Sequence, residues 1–360
     1  MMLLFRYIAF HYLKYFLVIL LALVGFMVGF DYMSYSESLP ESANLVVLYL
    51  MYKSFFALDM LVPVSLVFAM IATKIFLIRS NTLVAFYALG YSKGDVLKPF
   101  VTVSSLVILL FISLHATSFA RADEFAKNIR TTAQHIQPTE NLFFTFSDQY
   151  VYFGHLYPLQ QRAKDVRIFR VQENTLHEVI VAEEALYRDG FWHITDARLI
   201  RKPFEPTIGG AGIEIEEQQN FKVLKDFKPK ILDQVYEGKV NFTIIDALDA
   251  LRLLNEQNVS IDRIKSSLYK TFVHPLFVPF LIIVIFFFVP ISTRFLNLSL
   301  FSFGAILSTL IVWAVMFTLI ELSNSKTVPS EVGIILPVVL LAFAAFYQWQ
   351  RHRVKHNISM

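Results

Sequence analysis

The 360-residue sequence contains no cysteine, few charged residues and no nucleotide-binding loop. Without cysteine there can be no disulfide, no thiolate metal site and no cysteine nucleophile, and the redox compartment stays open. No segment follows the G-x-x-x-x-G-K-[ST] pattern, so the chain does not itself supply the phosphate-binding loop of an ATPase. Only 17% of the residues are charged, against 56% that are hydrophobic. A soluble domain with an ordinary ratio of core to surface needs more charge, so the composition predicts a membrane protein.

Long hydrophobic runs dominate the rest of the sequence. A transmembrane helix needs about 20 apolar residues to cross roughly 30 Å of hydrocarbon. Six stretches come near that length: 15–33, 55–78, 98–119, 273–290, 299–322 and 333–350. The first is too long for a signal peptide and no small-x-small cleavage site follows it, so we interpret it as an uncleaved span.

The charges near the ends of these spans predict the topology, because Lys and Arg are retained on the cytoplasmic side. Outside residues 121–270 there are 12 Lys+Arg and 7 Asp+Glu. With a cytoplasmic N-terminus, ten of these bases and one acid fall on the cytoplasmic side, and two bases and six acids on the other. We therefore predict cytoplasmic termini and a large outer domain. The basic residues are sorted by membrane side and form no stripe, so no nucleic-acid partner is expected.

The segment 121–270 has the composition of a water-soluble domain, with 20 Lys+Arg and 22 Asp+Glu. Its middle contains short runs rich in β-branched and aromatic residues, which are typical of strands. These runs are Asn141–Phe146, Tyr150–Phe153, Val166–Val171, Leu176–Ala182 and Trp192–Ile200. Asp189 and Gly190 predict a tight hairpin turn, since both tolerate positive φ. From Thr243 the apolar residues recur at intervals of three and four, which predicts a helix returning the chain to the membrane.

These patterns together predict an α-helical integral membrane protein with six transmembrane helices and an inserted all-β domain. Residues 1–120 would hold the first three transmembrane helices, and 121–270 the inserted domain with its returning helix. The last three transmembrane helices and a short cytoplasmic tail would occupy 271–360.

A short apolar segment, 80–90, lies between the second and third spans. Ser80 is placed to cap the start of a helix and Gly90 to close its end. Ser92 and Asp95 then form a Ser-x-x-Asp capping box at the start of the third span. Four residues would share one face of the short helix: Leu83, Phe86, Tyr87 and Gly90. A groove on a partner protein would cover such a face; the alternative is that the helix lies in the headgroup interface.

Several stretches are similar to one known family. Leu61–Leu66 and Arg79–Ser92 resemble the second span and the coupling helix of the lipopolysaccharide-export permeases LptF and LptG. Asp148–Gly154 and Val166–Phe169 resemble the start of the periplasmic β-jellyroll of that family, and Val181–Ala185 its middle. The similarity covers nearly the whole chain in the right order. It implies a bacterial inner-membrane protein with a periplasmic, jellyroll-like inserted domain, and it does not decide between the two paralogues.

The resemblance also implies partners. Two such permeases pair, and a dimer of a cytoplasmic ATPase, LptB, docks against their coupling helices and uses ATP and Mg. Closure of the cavity between the permeases then moves lipopolysaccharide toward a bridge formed by membrane-anchored LptC and periplasmic LptA. This chain would have no catalytic residue, bound cofactor or metal.

The coupling helix of this sequence would contain Asn81, Thr82, Leu83, Phe86, Tyr87 and Gly90. The family usually has an acidic residue near the start of this helix, where this sequence has Asn81 and Thr82. Docking would therefore rely more on Leu83, Phe86 and Tyr87.

Basic residues just beyond the third span are the candidates for contact with the substrate. A bis-phosphorylated lipid presents negative charge at the outer edge of the bilayer, where Lys and Arg bind it at low local dielectric. Lys127 and Arg130 match the basic pair that the family places against lipid A phosphates. Further candidates are Arg121, Lys53 and Lys270. The alternative is that these are ordinary solvated or snorkelling charges. Some members carry a basic residue at the outer end of the first helix, where this chain has Asp31.

Two other classes of function compete with transport. A mechanotransmitting or sensory protein would bind a ligand with its periplasmic domain and signal through its helices. Such proteins usually have fewer spans and a cytoplasmic signalling segment, and about ten residues follow the last span here. A membrane-embedded enzyme would need paired acids or metal ligands inside the spans, and Asp59 is the one acid within them that is costly to bury.

Overall fold

The computed structural model describes residues 2–132, 139–146, 149–157, 160–172, 175–203, 212–225, 227, 243–254, 262–288, 297–325 and 327–357. The chain divides into two compact units. The helical unit comprises Met1–Gln134, Thr243–Ile245 and Lys265–Met360, and the sheet unit comprises His135–Phe242 and Asp246–Ile264. The domain limits predicted from the sequence stay predictions.

The regular elements follow one another as helices, then strands, then helices. The helices are α1 (Met2–Tyr35), α2 (Ala43–Arg79), α3 (Thr82–Ala88), α4 (Lys93–Leu114), α5 (Ala122–Thr132), α6 (Ile244–Leu254), α7 (Asp262–Phe272), α8 (Phe277–Phe288), α9 (Leu298–Asn324) and α10 (Leu336–Asn357). The strands are β1 (Thr139–Phe146), β2 (Gln149–Tyr157), β3 (Arg162–Gln172), β4 (Thr175–Arg188), β5 (Phe191–Arg201) and β6 (Glu214–Val223).

Six helical stretches in the described part of the chain are long and apolar enough to cross a membrane, which confirms the predicted number. They are Met2–Ser38, Ala43–Arg79, Lys93–Leu114, Ile264–Phe288, Leu298–Asn324 and Glu331–Arg351. The first is longer than predicted, because the helix continues through polar residues on both sides of the apolar run. The last two residues of the predicted fourth span lie outside the described residues.

The second span, α2, is the most buried of the six. The first span packs against it with every fourth residue: Leu4, Ile8, Tyr12, Phe16, Leu20 and Val24. Because an α-helix has 3.6 residues per turn, this spacing forms a stripe that winds slowly around α1, while many of the remaining apolar residues are exposed as lipid-facing residues are. The fourth span is interrupted by a short 3₁₀ turn at His274–Leu276, as expected where Pro275 cannot continue the hydrogen bonds of the preceding helix.

One lysine is buried within the helical unit. Lys74 of α2 donates a hydrogen bond to the carbonyl oxygen of Phe286, and its ammonium lies 3.6 Å from the centre of the Phe286 ring. In a helix this carbonyl oxygen would accept from the N–H of the residue four positions on, but that residue is Pro290, which has no N–H. Lys74 therefore supplies a donor to this carbonyl oxygen, and the contact ties α2 to α8.

The sixth span begins with a π-helical turn, Glu331–Ile335, which packs closely against α9. A Cβ atom on Gly333 would meet the hydroxyl oxygen of Ser323 at 2.1 Å and the carbonyl oxygen of Leu319 at 3.0 Å. Glycine is required here because the two helices approach too closely for any side chain.

Gly333→Ala should therefore lower the thermal stability of the purified protein by the equivalent of about 1–3 kcal/mol, the usual cost of overpacking. The matched control is Gly304→Ala in α9, where a Cβ atom would meet no heavy atom within 4 Å. Thermal unfolding in detergent, followed by loss of the monodisperse peak, measures both. Equal midpoints for the two variants would show that the close approach is absent.

The sheet unit contains one antiparallel six-stranded sheet in which the strands pair in chain order, β1 to β6. Alternate residues of each strand point to one face and form a core. Its largest members include Phe153, Ile168, Ile180, Trp192 and Leu199. The hairpin predicted at Asp189 and Gly190 is confirmed: both residues have positive φ, 49° and 80°, and they join β4 to β5.

The sheet is strongly curled around this core. Strands β2 and β5 are three positions apart, which is about 14 Å in a flat sheet. Nevertheless the ring centres of Phe153 and Trp192 on these strands are 4.9 Å apart. Phe146 at the end of β1 lies 4.2 Å from Phe227, which follows β6, and the indole N–H of Trp192 donates to the Phe227 carbonyl oxygen at 2.8 Å. A meander thus encloses a core by bending back on itself.

The predicted fold class, six transmembrane helices with an inserted all-β, jellyroll-like domain, is confirmed. One strand was missed by the sequence analysis. Glu214–Val223 is almost entirely exposed and lacks apolar alternation, so only its pairing with β5 defines it as a strand. As the last strand of the described sheet, β6 is an edge strand, and charged residues are typical of such strands.

Candidate functional site

The C-terminal end of α1 and the N-terminal part of α2 meet the start of α5 at a group of ionic residues, which we call the α5 cluster: Asp31, Lys53, Asp123, Lys127 and Arg130. The ammonium of Lys53 lies 3.4 Å from Asp31 Oδ1 and 3.1 Å from Asp123 Oδ1. Lys127 Nζ lies 2.7 Å from the other oxygen of Asp123. Lys53 on α2 thus joins the end of α1 to α5, with the side chains of Lys53 and Asp123 each only 11% exposed.

The ionisation of Asp123 supports this arrangement. Burial by itself would raise the pKa of the carboxyl, but the hydrogen bond from Lys127 and the charge of Lys53 outweigh it, and the pKa lies below its ordinary value. A depressed pKa stabilises the folded state fully above the unfolded value of about 3.9, and this contribution is lost as the pH falls through the folded-state pKa. Asp123 is therefore ionised at neutral pH.

Lys127 is the exposed member of the cluster, and Arg130 is half-buried against an aromatic ring. The Lys127 side chain is 60% exposed although it contacts Asp123. The guanidinium of Arg130 lies 4.2 Å from the centre of the Tyr35 ring at the end of α1. Three bases and two acids leave the cluster with a net charge of +1. An arriving anion would therefore meet excess positive charge and an exposed ammonium.

The other two predicted contact residues are placed differently. Arg121 is buried and forms a bidentate pair with Glu124, with nitrogen to oxygen distances of 2.8 and 2.6 Å. Its charge is already matched. Lys270 lies within the electrostatic reach of Asp59, beside His115 and His274. The structure thus brings Lys53, Lys127 and Arg130 together, while Arg121 and Lys270 belong to other ionic groups.

Sequence reasoning missed His115. Its ring nitrogen Nε2 lies 2.9 Å from Asp59 Oδ1, although Asp59 is in α2 and His115 directly follows α4. The available indication was Asp59 itself, because a carboxylate within a span needs a partner. The sequence alone does not identify which residue supplies it.

The short helix between the second and third spans is present as α3, but its start differs from the prediction. The residue before the helix is Asn81, in a left-handed conformation with φ 56°, and no side chain caps the helix. Ser80 instead donates to the Phe76 carbonyl oxygen of the preceding span. The prediction that Ser80 caps the helix is therefore wrong, because the hydroxyl is used to end α2.

The end of α3 follows the prediction. Gly90 has φ 86°, its N–H donates to the Tyr87 carbonyl oxygen, and the N–H of Tyr91 donates to the Phe86 carbonyl oxygen. These two bonds and the edge-on contact between the Phe86 and Tyr91 rings form a Schellman motif. The predicted capping box at the start of α4, Ser92 with Asp95, is also confirmed.

The apolar face of α3 is turned toward the chain itself. Leu83 is fully buried in the core of the helical unit. The centre of the Phe86 ring lies 6.1 Å from the centre of the Tyr7 ring of α1, in an edge-on arrangement. Tyr87 is half-buried, and this burial raises the pKa of its hydroxyl. Thr82 is also half-buried. The exposed residues of the segment are Asn81, Val84, Ala85, Ala88, Leu89 and Gly90. The predicted shared face of Leu83, Phe86 and Tyr87 therefore holds α3 in place, and Gly90 does not belong to it.

A family model described as the lipopolysaccharide export system permease LptF/LptG matches residues 6–351 of the chain. The chain belongs to the LptF/LptG family. No curated protein sequence matches it at a significant level. The family is one of transport permeases and not of enzymes, so this LptF/LptG chain is a multi-pass membrane protein with a role in lipopolysaccharide export. In the described residues no group of three or more His, Cys, Asp or Glu side chains could hold a metal ion.

Two lysines of the α5 cluster should differ in their contribution to the stability of this LptF/LptG chain. Lys53→Met leaves two poorly exposed carboxylates without their shared cation, and removal of one partner of such a group costs about 3 kcal/mol. Lys127→Met removes an exposed partner, for which about 0–1 kcal/mol is expected.

The thermal midpoints of the two variants in the same detergent test this difference. A Lys127→Met variant as unstable as Lys53→Met would contradict the central position of Lys53.

Proposed function

We propose that this chain is a transmembrane subunit of an ABC transporter that extracts lipopolysaccharide from the bacterial inner membrane and passes it to a periplasmic bridge. The family match over residues 6–351 is the observation that carries this proposal. In this arrangement both termini are cytoplasmic, the sheet unit is periplasmic, and a paralogous permease, LptF or LptG, completes the cavity. The described sheet has two edge strands, β1 and β6, to which the sheets of LptC and LptA could add in a bridge.

The α5 cluster is the proposed contact for the phosphorylated end of the lipid. Phosphate oxygens are strong acceptors, and charge-assisted hydrogen bonds from Lys or Arg are about twice as strong as neutral ones. Lys127 could exchange Asp123 for a phosphate oxygen without moving the backbone, because its ammonium is already exposed. Arg130 lies one turn further along the same helix. Lys53 would hold the helix in place and not contact the lipid directly.

Replacing the two basic residues of α5, as Lys127→Gln with Arg130→Gln, should weaken lipopolysaccharide binding about tenfold, which corresponds to about 1.4 kcal/mol. Binding is measured with the full-length chain in nanodiscs together with its sister permease. Lys98→Gln is the matched control, since Lys98 is 58% exposed and also pairs with an aspartate on its own helix. Equal affinity for the double variant and the control would remove the substrate contact from α5.

The ATPase dimer, LptB, is proposed to bind the exposed side of α3. This chain binds no cofactor itself, and the partner ATPase uses ATP and Mg. Val84, Ala85 and Ala88 of the helix, with Leu89 directly after it, form the exposed apolar surface. These small and branched side chains suit a groove on a partner better than open water. The inward contacts of Leu83 and Phe86 would transmit the movement of the docked helix to α1 and α2.

Ala88→Glu should therefore reduce retention of the ATPase in pull-down experiments, with about 30-fold weaker binding, because the new charge would be buried without a partner. Arg351→Glu is the control, since it introduces the same charge at an exposed position on the proposed cytoplasmic side but outside α3. If both variants retain the ATPase equally, α3 is not the docking element.

A further inference from the structure

A second ionic group lies deeper in the helical unit than the α5 cluster. Asp59 is six residues beyond Lys53 on α2, about 9 Å along the helix axis toward its middle. Its carboxylate contacts His115, the residue that directly follows α4, and His115 is only 7% exposed. The Phe111 and Phe119 rings pack edge-on against the imidazole, with ring centres 4.7 and 5.3 Å away.

Both nitrogens of His115 face acceptors. Nε2 lies 2.9 Å from the Asp59 carboxylate, and Nδ1 lies 3.0 Å from the carbonyl oxygen of Phe111. A neutral imidazole carries one N–H and could donate to only one of them. Both bonds therefore form when the ring is an imidazolium, and the contact with Asp59 is then an ion pair.

Three further elements converge on this pair. The backbone N–H of Ile244, at the start of α6, donates to the carbonyl oxygen of His115 at 3.1 Å. Lys270 on α7 and His274 in the following turn supply positive or titratable groups near Asp59. The Nε2 atom of His274 is buried and has no hydrogen-bond partner among the described residues. His115 thus links the segment that leaves the helical unit to the segment that returns.

The backbone of α2 is weakened at the same place. Pro63 has no N–H to donate to the carbonyl oxygen of Asp59, so one bond of the helix ladder is missing there. The side-chain contact between Asp59 and His115 therefore adds a tertiary contact at the point where α2 lacks one of its own backbone hydrogen bonds.

The segment between α4 and α5 is consequently attached to α2 at two points. Asp59 contacts His115 at the start of the segment, and Lys53 contacts Asp123, the second residue of α5, just after the segment ends. We propose that the Asp59–His115 ion pair is a positioning element that sets the placement of α5, so that Lys127 and Arg130 meet the phosphorylated end of the lipid. This inference rests on the proposed function of the α5 cluster.

The test uses the full-length chain assembled with its sister permease and ATPase in nanodiscs, titrated with lipopolysaccharide. Asp59→Asn and His115→Asn should each weaken the apparent lipopolysaccharide affinity about tenfold, within the usual range of coupling between sites. The maximal lipid-stimulated ATPase rate should stay within about twofold, because the proposal gives neither residue a direct role in binding the ATPase or the lipid. Ser113→Ala is the control, because this exposed hydroxyl lies two residues before His115 and donates to the Leu109 carbonyl oxygen of its own helix.

The conservative variant Asp59→Glu provides the decisive arm. It should keep most of the native affinity, because a carboxylate remains on α2 to pair with His115. If Asp59→Asn and His115→Asn do not assemble, Asp59→Glu decides: assembly with near-native affinity supports the positioning role. Failure of Asp59→Glu to assemble, or assembly with affinity as low as that of Lys127→Gln with Arg130→Gln, overturns it.

Unchanged affinity in Asp59→Asn and His115→Asn, with a loss in the Lys127 and Arg130 double variant, would overturn the positioning role and leave the substrate contact intact. If the double variant also binds normally, the proposed function of the α5 cluster fails instead.

Discussion

A charge is costly to leave without a partner in the low-dielectric environment of a membrane or protein core, and much of this structure follows from that constraint. Three ionic residues among the apolar spans have polar partners on other elements. Lys53 lies between two carboxylates, Asp59 contacts His115, and Lys74 donates to the Phe286 carbonyl oxygen of α8. Each of these contacts joins different elements, so the pairing of charges also fixes how the helices are arranged.

The same constraint separates two kinds of basic residue near the membrane. Lys53 is only 11% exposed and Arg121 is buried, and both are matched by acids, so they stabilise the protein. Lys127 is exposed, and Arg130 lies against an aromatic ring, so both remain able to meet an incoming anion. Residues that look equivalent in the sequence therefore have different roles, and their exposure and partners distinguish them.

The long-range pattern of the sequence was sufficient to predict the helices and most of the strands. Hydrophobic length predicted the six spans, and local chemistry predicted the Asp189-Gly190 hairpin and the Ser92–Asp95 capping box. The edge strand β6 was not predictable, because its exposed, charged residues carry no apolar alternation. The curl of the sheet was also hidden, since it depends on contacts such as Phe153 with Trp192 that join distant positions.

Site residues were less predictable than the fold, because their roles also depend on contacts between distant positions in the chain. Periodicity showed that Leu83, Phe86 and Tyr87 share a face, but it could not show that this face is covered by the chain's own helices. Asp59 indicated that a partner was needed, and only tertiary packing identified His115. The membrane side of each element rests on the asymmetry of Lys and Arg, which is the assumption that the proposed transport cycle depends on most.

The absence of cysteine makes this assumption directly testable. Single cysteines at two exposed positions, Thr195→Cys in β5 and Ala88→Cys in α3, can be labelled in spheroplasts with a membrane-impermeant maleimide. We expect Thr195→Cys to react in intact spheroplasts, and Ala88→Cys to react only after the membrane is opened. Labelling of Ala88→Cys from outside, with Thr195→Cys protected, would contradict a permease driven by a cytoplasmic ATPase.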